Sequence, residues 1–303
     1  MPTSFSIWIS AFRPRTLALA LACIGTGLSL AAADGFFCPL VAVLAVLTAT
    51  LLQILSNLAN DYGDSKHGAD SKHRAGPKRA VQSGQVSAAH MKQAMYLAAG
   101  AAMVSGIALV VSAFGMAGLA WLVGFMALGG LAIWAAIAYT ATEKPYGYAG
   151  LGDLMVFVFF GWVAVLGSYF LQAQQLPSQV WLPACTLGLF SVAVLNVNNV
   201  RDLESDKLAG KRSIPVRIGA RNARIYHWLL VILAIGLSVF YVTNYAGSAW
   251  KWLFLLACPL PLLNALKLWQ ARTPAQADPL LKMMALSTLL FALLLGIGVN
   301  LAR

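Results

Sequence analysis

Residues Asn57 to Asp70 read NLANDYGDSKHGAD, with three aspartates, two asparagines and almost no bulky apolar side chain. The stretch follows directly on LAVLTATLLQILS, residues 44–56, which has the composition of a membrane-buried helix. Carboxylates at the mouth of a membrane helix are costly to place, so their presence asks for a function. A second stretch, Asn196 to Lys211 (NVNNVRDLESDKLAGK), stands in the same relation to another apolar run.

The rest of the chain supports the membrane reading. Of its 303 residues, 60% are hydrophobic and 10% charged, and the mean hydropathy is +0.75. Soluble domains carry roughly 25% charged residues. The length is therefore taken up by membrane spans within one polytopic domain, residues 1–303. Nine apolar runs approach the ~20 residues a bilayer requires: 16–33, 37–58, 94–113, 117–139, 154–173, 180–199, 223–243, 250–268 and 282–301. The fold class is an all-α integral membrane bundle of nine transmembrane helices, since lipid leaves no partner for unpaired backbone groups. Its central cavity is expected to be capped by cytoplasmic loops. The run after Arg13 and Arg15 ends in Ala31-Ala32-Ala33 and superficially suggests a cleaved signal. Trp8, Ile9 and Phe12 before it read instead as an interfacial segment, and the many later spans make it a retained helix.

Charge gives the orientation. With the N-terminus in the cytoplasm, every Lys and Arg except Lys251 and Arg303 falls on the cytoplasmic side, and nine spans put the C-terminus outside. The net charge of +11 is then a property of cytoplasmic loops, with no nucleic-acid partner implied. Both acidic stretches lie on that same face. The loops that follow them hold Asp61, Asp64, Asp70, Asp202, Glu204 and Asp206, six of the ten acidic residues. Cys23, Cys38, Cys185 and Cys258 have neither metal-ligand nor disulfide spacing and read as small apolar residues.

The two stretches echo each other at an offset of 141, which relates Asn57 to Asn198, Asp61 to Asp202 and Lys66 to Lys207. If the helices continue into the loops, Asn57, Asp61 and Asp64 share one helix face, and so do Asn198, Asp202 and Asp206. Each half then offers an amide and two carboxylates in a column. Such hard oxygen donors suit Mg²⁺, which keeps waters and accepts phosphate oxygens. His and Cys are absent from both columns, which argues against zinc. A lone Asp-x-x-Asp at a helix end is usually solvated or capping. Its recurrence on one membrane face, with an Asn four residues upstream each time, points to a site for Mg²⁺ and a diphosphate. Gly63 and Gly68 suit a helix break near the ion. Most of the basic residues need no more than the orientation rule, though Arg or Lys beside the two stretches would also balance the negative charge of a departing diphosphate. Asp153, at the start of a span, reads as an N-cap.

With these residues in view, the chain resembles the UbiA-type intramembrane prenyltransferases, and within them the branch acting on dihydroxynaphthoate. The likeness rests on Trp8 with Arg13-Pro14-x-Thr16-Leu17, on NLANDYGDSKHGAD with Gly76-Pro77-x-Arg79, on Pro145-Tyr146-Gly147-Tyr148-x-Gly150-Leu151-Gly152-Asp153, and on NNVRDLESDKLAGKRSIPVRIG. Departures exist. The broad motif Asn-Asp-x-x-Asp-x-x-x-Asp has Gly68 at its last position, with Asp70 two residues on. Lys144 stands where relatives often have Arg, and so lacks the bidentate fork. Tyr139 and Lys144 are one residue too far apart for the family's Tyr-x-x-x-Lys element.

The resemblance implies a nine-helix bundle in a bacterial cytoplasmic (inner) membrane. The implied reaction transfers a polyprenyl chain from polyprenyl diphosphate to 1,4-dihydroxy-2-naphthoate with Mg²⁺, releasing CO₂ and diphosphate. It implies Asp61, Asp64, Asp202 and Asp206 as catalytic acids. Asn57, Asn60, Asp61, Asp64, Asp70, Asn198, Asp202 and Asp206 would be the metal donors, and Arg79, Lys144 and Lys211 the diphosphate partners. Arg13 and Lys144 are candidates for the naphthoate carboxylate. Residues 155–167, with Phe157, Phe159, Phe160 and Trp162, would line the prenyl path or simply pack. Alternatives are another aromatic acceptor, such as 4-hydroxybenzoate, and an ion-coupled transporter with midplane polar sites. The spans are nearly devoid of charge, which argues against the transporter. The Asp and Gly pattern of a phosphatidyl-alcohol transferase is missing.

Overall fold

A computed structural model of the chain describes residues 4–67, 79–115 and 118–303. The described residues contain helices and turns, with no strand. A short amphipathic α1 (Ser4–Phe12) leads into α2 (Pro14–Ala33), and α3 (Pro39–Lys66), α4 (Ala88–Phe114) and α5 (Leu119–Ala138) follow. The next rod is composite: α6 (Gly152–Val156), a π-helix (Phe157–Leu166) and α7 (Gly167–Ala173). Then come α8 (Trp181–Arg201), α9 (Leu203–Leu208), α10 (Ile214–Thr243), α11 (Pro259–Gln270) and α12 (Pro274–Leu301). Among the described residues nine helical rods are long and apolar enough to cross a membrane, as the apolar runs predict. Proline begins α2, α3, α11 and α12, where its missing N–H costs nothing. Thr273 and Gln276 close a capping box at α12.

The boundaries differ from the apolar runs at the polar end. Helix α3 runs to Lys66, α4 begins at Ala88 and α10 begins at Ile214. Hydropathy marks the part of a helix suited to hydrocarbon, while backbone hydrogen bonding carries on into the aqueous cap. The first acidic column runs into the α3 extension, and the second runs from the end of α8 into α9.

The π-helix is the element that sequence periodicity does not reveal. Its wider i→i+5 turn is rare at this length and is associated with functional sites. Close backbone approach fixes its place. A Cβ at Gly161 would lie 2.7 Å from Ala184 O and 2.9 Å from the Gly188 Cα, and one at Gly27 would lie 2.2 Å from Val165 O. Thus α2 and α8 press directly on the rod. In an α-helix, residues four apart drift by ~40° per step. The wider turns bring them back into line, so Met155, Phe159, Val163, Gly167 and Leu171 all face one cavity.

The end of the bundle opposite the acidic columns is fastened by polar contacts. The Tyr169 hydroxyl donates to Asp34 Oδ2 at 2.6 Å, and Arg303 pairs with Asp34 while its Nε donates to Tyr245 at 3.0 Å. Four buried or partly buried apolar clusters fill the bundle, and the largest joins α2, the π-helix, α8, α10 and α12. Cys23 and Cys258 are buried, Cys185 is half-buried and Cys38 exposed, and all four are free thiols.

Candidate active site

Helix α3 continues through Asp64, so Asn57, Asp61 and Asp64 do share one face. They do different work. The Asn57 amide donates to Phe12 O at 2.8 Å and to Thr16 Oγ1 at 2.9 Å, and its oxygen accepts from Gln53 at 3.2 Å. It therefore fixes the reversal between α1 and α2, where Arg13 adopts the left-handed φ of 51°. The Asn57 amide is engaged with the N-terminal segment, and Asn57 also lines the cavity. Asn60 lines the cavity, with Oδ1 3.0 Å from Thr140 Oγ1.

Asp61 is buried and accepts the backbone N–H groups of Ala80 at 3.1 Å and Val81 at 3.2 Å. It thereby ties the returning loop to α3 and sets Arg79 in place. Arg79 pairs with Asp64 at 2.5 Å and also donates to Asn60 O. The other Asp64 oxygen accepts the Tyr148 hydroxyl at 3.0 Å. Gly63 does not break the helix, which corrects the sequence reading. A Cβ there would lie 2.4 Å from the Thr140 carbonyl, so glycine permits α3 to touch the end of α5. Gly68, Asp70, Lys72, Arg74, Gly76, Pro77 and Lys78 lie outside the described residues.

The second column is continuous too. The Asp202 N–H donates to Asn198 O at 3.0 Å and the Asp206 N–H to Asp202 O at 2.8 Å, carrying the helical ladder from α8 into α9. Arg201, absent from the sequence-derived list, dominates this half. Its Nε and one Nη hold both Asp202 oxygens at 2.8 and 2.6 Å. The same Nη reaches Asn198 Oδ1 at 2.8 Å, and the other reaches Asp278 Oδ1 on α12 at 2.8 Å.

Asp206 is less well provided for. Its Oδ1 is 3.4 Å from Lys211 Nζ, while its Oδ2 is buried with no partner among the described residues. Burial, with Asp202 and Asp64 nearby, pushes its carboxyl up to about 6 despite Lys211. Burial also works against the Lys211 charge, yet Tyr139, Asp206 and Asp64 outweigh it and raise the ammonium pKa. Lys211 Nζ sits 5.7 Å from the centre of the Tyr148 ring. Lys211 thus stands between the two columns.

The motif PYGYxGLGD gains a physical reason here. Tyr139 lines the cavity and packs edge-on against Tyr146, 5.4 Å between ring centres. A Cβ at Gly147 would lie 2.7 Å from its ring and one at Gly152 3.2 Å. The glycines form the slot for that tyrosine. Gly150, at φ +79°, turns the chain past the Arg212 carbonyl. Lys211, from the other half of the chain, lines the same cavity as Tyr139. Lys144 is exposed and does not line the cavity. This corrects both of its proposed substrate roles and leaves the orientation rule as the reason for its charge. Asp153 is not an N-cap either: Leu151 occupies that position, and Asp153 accepts the Tyr226 hydroxyl at 3.1 Å.

These groups border one end of a cavity of about 620 Å³. Arg13, Asn60, Asp61, Asp64, Arg79, Asn198, Arg201 and Lys211 line that end. Its remaining walls are largely apolar, from α2, α3, α4, α5 and the π-helix, and include Phe125, Phe159 and Phe160. Phe157 and Trp162 are not among the lining residues: they meet edge-to-face, and Trp162 meets Trp181 in the same way. Among the described residues no three Asp, Glu, His or Cys side chains form a ready-made metal cage. Mg²⁺ does not need one, because it takes one or two carboxylates together with waters and phosphate oxygens. The partnerless Asp206 Oδ2 and the all-oxygen donor set fit that ion.

Residues 18–289 match the UbiA prenyltransferase family. Over 98% of its length the chain is 46% identical to 96% of the 1,4-dihydroxy-2-naphthoate octaprenyltransferase of Escherichia coli (strain K12). Its fold is similar to the apo structure of a UbiA homolog from Aeropyrum pernix K1, with a TM-score of 0.72 at 17% identity, covering 93% of this chain and 97% of that one. It is also similar to a UbiA homolog from Archaeoglobus fulgidus bound to DMAPP and Mg²⁺, with a TM-score of 0.57 at 16% identity, covering 97% and 98%.

Proposed function

This chain belongs to the UbiA prenyltransferase family, and from that premise we propose that it transfers a polyprenyl chain from its diphosphate to 1,4-dihydroxy-2-naphthoate. The products are demethylmenaquinol, diphosphate and CO₂, which places the enzyme in menaquinone biosynthesis. The naphthoate acceptor rests on the near full-length relative that carries that activity in its name. The observation that carries the chemistry is the cavity of about 620 Å³ itself: acids and cations crowd one end, and the rest of its walls are largely apolar. A prenyl diphosphate has the same division into an anionic head and a greasy tail.

Asp206, Asp64, Asp202, Asn198 and Asn60 would hold Mg²⁺, and Asp61 has further lone pairs beyond its two backbone bonds. When bound, the ion supplies positive charge to the diphosphate oxygens as the C–O bond breaks. Arg79 and Lys211 add cationic donors to the same oxygens. The π-helix column, with Phe159 and Phe160, lines the tail and keeps water from the allylic cation. The ring carbon bearing the carboxylate then forms the new C–C bond. Loss of CO₂ leaves its electron pair in the ring, so no external proton or oxidant is required. The multi-pass protein is assigned to the bacterial cytoplasmic membrane, with its N-terminus and its site on the cytoplasmic side and its C-terminus outside.

The test uses membranes containing the protein, a polyprenyl diphosphate, and either 1,4-dihydroxy-2-naphthoate or 4-hydroxybenzoate, with Mg²⁺ or EDTA. Prenylated naphthoquinol that disappears in EDTA supports the reading. Product from 4-hydroxybenzoate alone overturns the acceptor, and full activity in EDTA overturns the metal.

A further inference from the structure

Arg201 has a feature that a simple structural ion pair does not need: it is shared. Its side chain is 3% exposed, it lines the catalytic cavity, and it contacts two carboxylates and an amide at once. Two of those partners, Asn198 and Asp202, belong to the proposed metal column. The third, Asp278, lies on α12, outside every motif of the sequence, and is itself 29% exposed. Both Asp202 oxygens are engaged by guanidinium donors at 2.6 and 2.8 Å. A metal ion approaching Asp202 must displace or share with a positive charge already seated there.

We infer that Arg201 is the resident cation of the second column, holding Asn198 and Asp202 until Mg²⁺ and a diphosphate arrive together, with Asp278 as the tether that retains its guanidinium at the cavity once Asp202 is released. The inference rests on the Mg²⁺ site proposed above. Asp278 makes the exchange feasible. Removing one partner from a buried pair strands the other charge, which is strongly destabilising. Arg201 has a second acid, so Asp202 can leave without stranding it. The released edge of the guanidinium is a planar fork, which matches two oxygens of a diphosphate as well as it matches a carboxylate. Mg²⁺ thus frees the arginine for the diphosphate, and the diphosphate gives the freed arginine a partner. Each ligand binds weakly alone and tightly with the other, a reciprocal coupling between two sites.

The experiment titrates Mn²⁺, as a paramagnetic substitute for Mg²⁺, into the full-length protein in detergent. Free Mn²⁺ is read by electron paramagnetic resonance, with and without geranyl thiolodiphosphate as an analogue slow to ionise. In the parent, the analogue tightens Mn²⁺ binding. In Arg201→Gln, Mn²⁺ alone binds more tightly than in the parent, by about ten- to a hundredfold, the factor that corresponds to a displaced charge-assisted hydrogen bond. The tightening by the analogue is largely lost in that variant. Asp278→Asn acts with the opposite sign: Arg201 is left leaning on Asp202, and Mn²⁺ alone binds more weakly than in the parent. A purely structural arginine predicts equal or weaker Mn²⁺ binding in Arg201→Gln, and that result overturns the inference. If Arg201→Gln does not yield folded protein, Asp278→Asn decides, and unchanged or tighter Mn²⁺ binding there overturns it. Failure of the parent to bind Mn²⁺ overturns the metal site itself, and with it this exchange.

Discussion

Replacing Asp61 with Asn separates anchoring from metal binding. In the structure Asp61 Oδ2 accepts from the Ala80 N–H and Oδ1 from the Val81 N–H, at 3.1 and 3.2 Å. A carboxylate accepts with both oxygens, whereas an amide accepts with one and presents donors with the other. One of the two backbone N–H groups would then face an NH₂. Each lost bond was to an ionised acceptor, and such a bond contributes about 1.5–3 kcal/mol. Ala80 is buried, so water replaces the lost bond poorly. An opening free energy reduced by that amount corresponds to roughly ten- to a hundredfold faster exchange of those amides. The assay is hydrogen–deuterium exchange of residues 79–86 in EDTA, where no metal contributes, with peptides from α8 as an internal standard. Accelerated exchange confined to this loop, together with lost turnover, is the expected outcome, because Arg79 loses its placement against Asp64. If exchange at Ala80 and Val81 is unchanged in EDTA, Asp61 does not anchor the loop and the argument fails.

Lys144→Ala should retain near-parental turnover, because Lys144 is exposed and outside the cavity, whereas Lys211→Met, which removes a buried ammonium beside Asp206, should lower turnover by two or more orders of magnitude. Steady-state rates of the two variants in the same membranes check this, and equal losses would refute the distinction. Gly161→Ala should destabilise the protein by about 1–3 kcal/mol, since its Cβ meets backbone on α8 and cannot be accommodated by a side-chain rotation. Gly124→Ala on α5, with nothing within 4 Å, should be near neutral. Thermal melts in detergent compare the two. Metal removal should abolish turnover while leaving the melting temperature nearly unchanged, because Asp61, Asp64 and Asp202 already have internal partners. A large drop in melting temperature on adding EDTA to the metal-loaded protein, beyond the linkage expected from the measured affinity, would refute that account.

The nine spans were legible because hydrocarbon imposes one requirement, a long apolar run, and composition reports it directly. The two acidic columns were legible for the converse reason: polar residues at a membrane boundary need a cause. Other features depend on which atoms meet in space. Asn57 has the spacing of a ligand, but its neighbour is the Phe12 carbonyl, 45 residues upstream, and no local pattern announces that. Gly63 reads as a helix breaker in a one-dimensional scan and is in fact a contact point with Thr140. Arg201 was counted among the loop bases because the orientation rule explains any arginine on that face. Only its position one residue before Asp202 was a usable sign. Asp278 carried no signal at all, since it joins the site through α12.

The pattern of pairing also bears on how the site is entered. Asp64 is held by Arg79 and Tyr148, Asp61 by backbone N–H groups and Asp202 by Arg201. Asp206 alone of these four has an oxygen that is buried with no hydrogen-bond partner among the described residues. A buried acceptor left in that state is unfavourable, so a cation arriving there relieves a penalty where elsewhere it must first break a bond. At the Mg²⁺ site proposed above, Asp206 would therefore be the first carboxylate to receive the ion. Lys211, 3.4 Å from Asp206, is the group that such an ion would have to push aside. A lysine suits that position better than an arginine. Its ammonium is a compact point charge on a flexible stem, with three donors that can turn as their partners change.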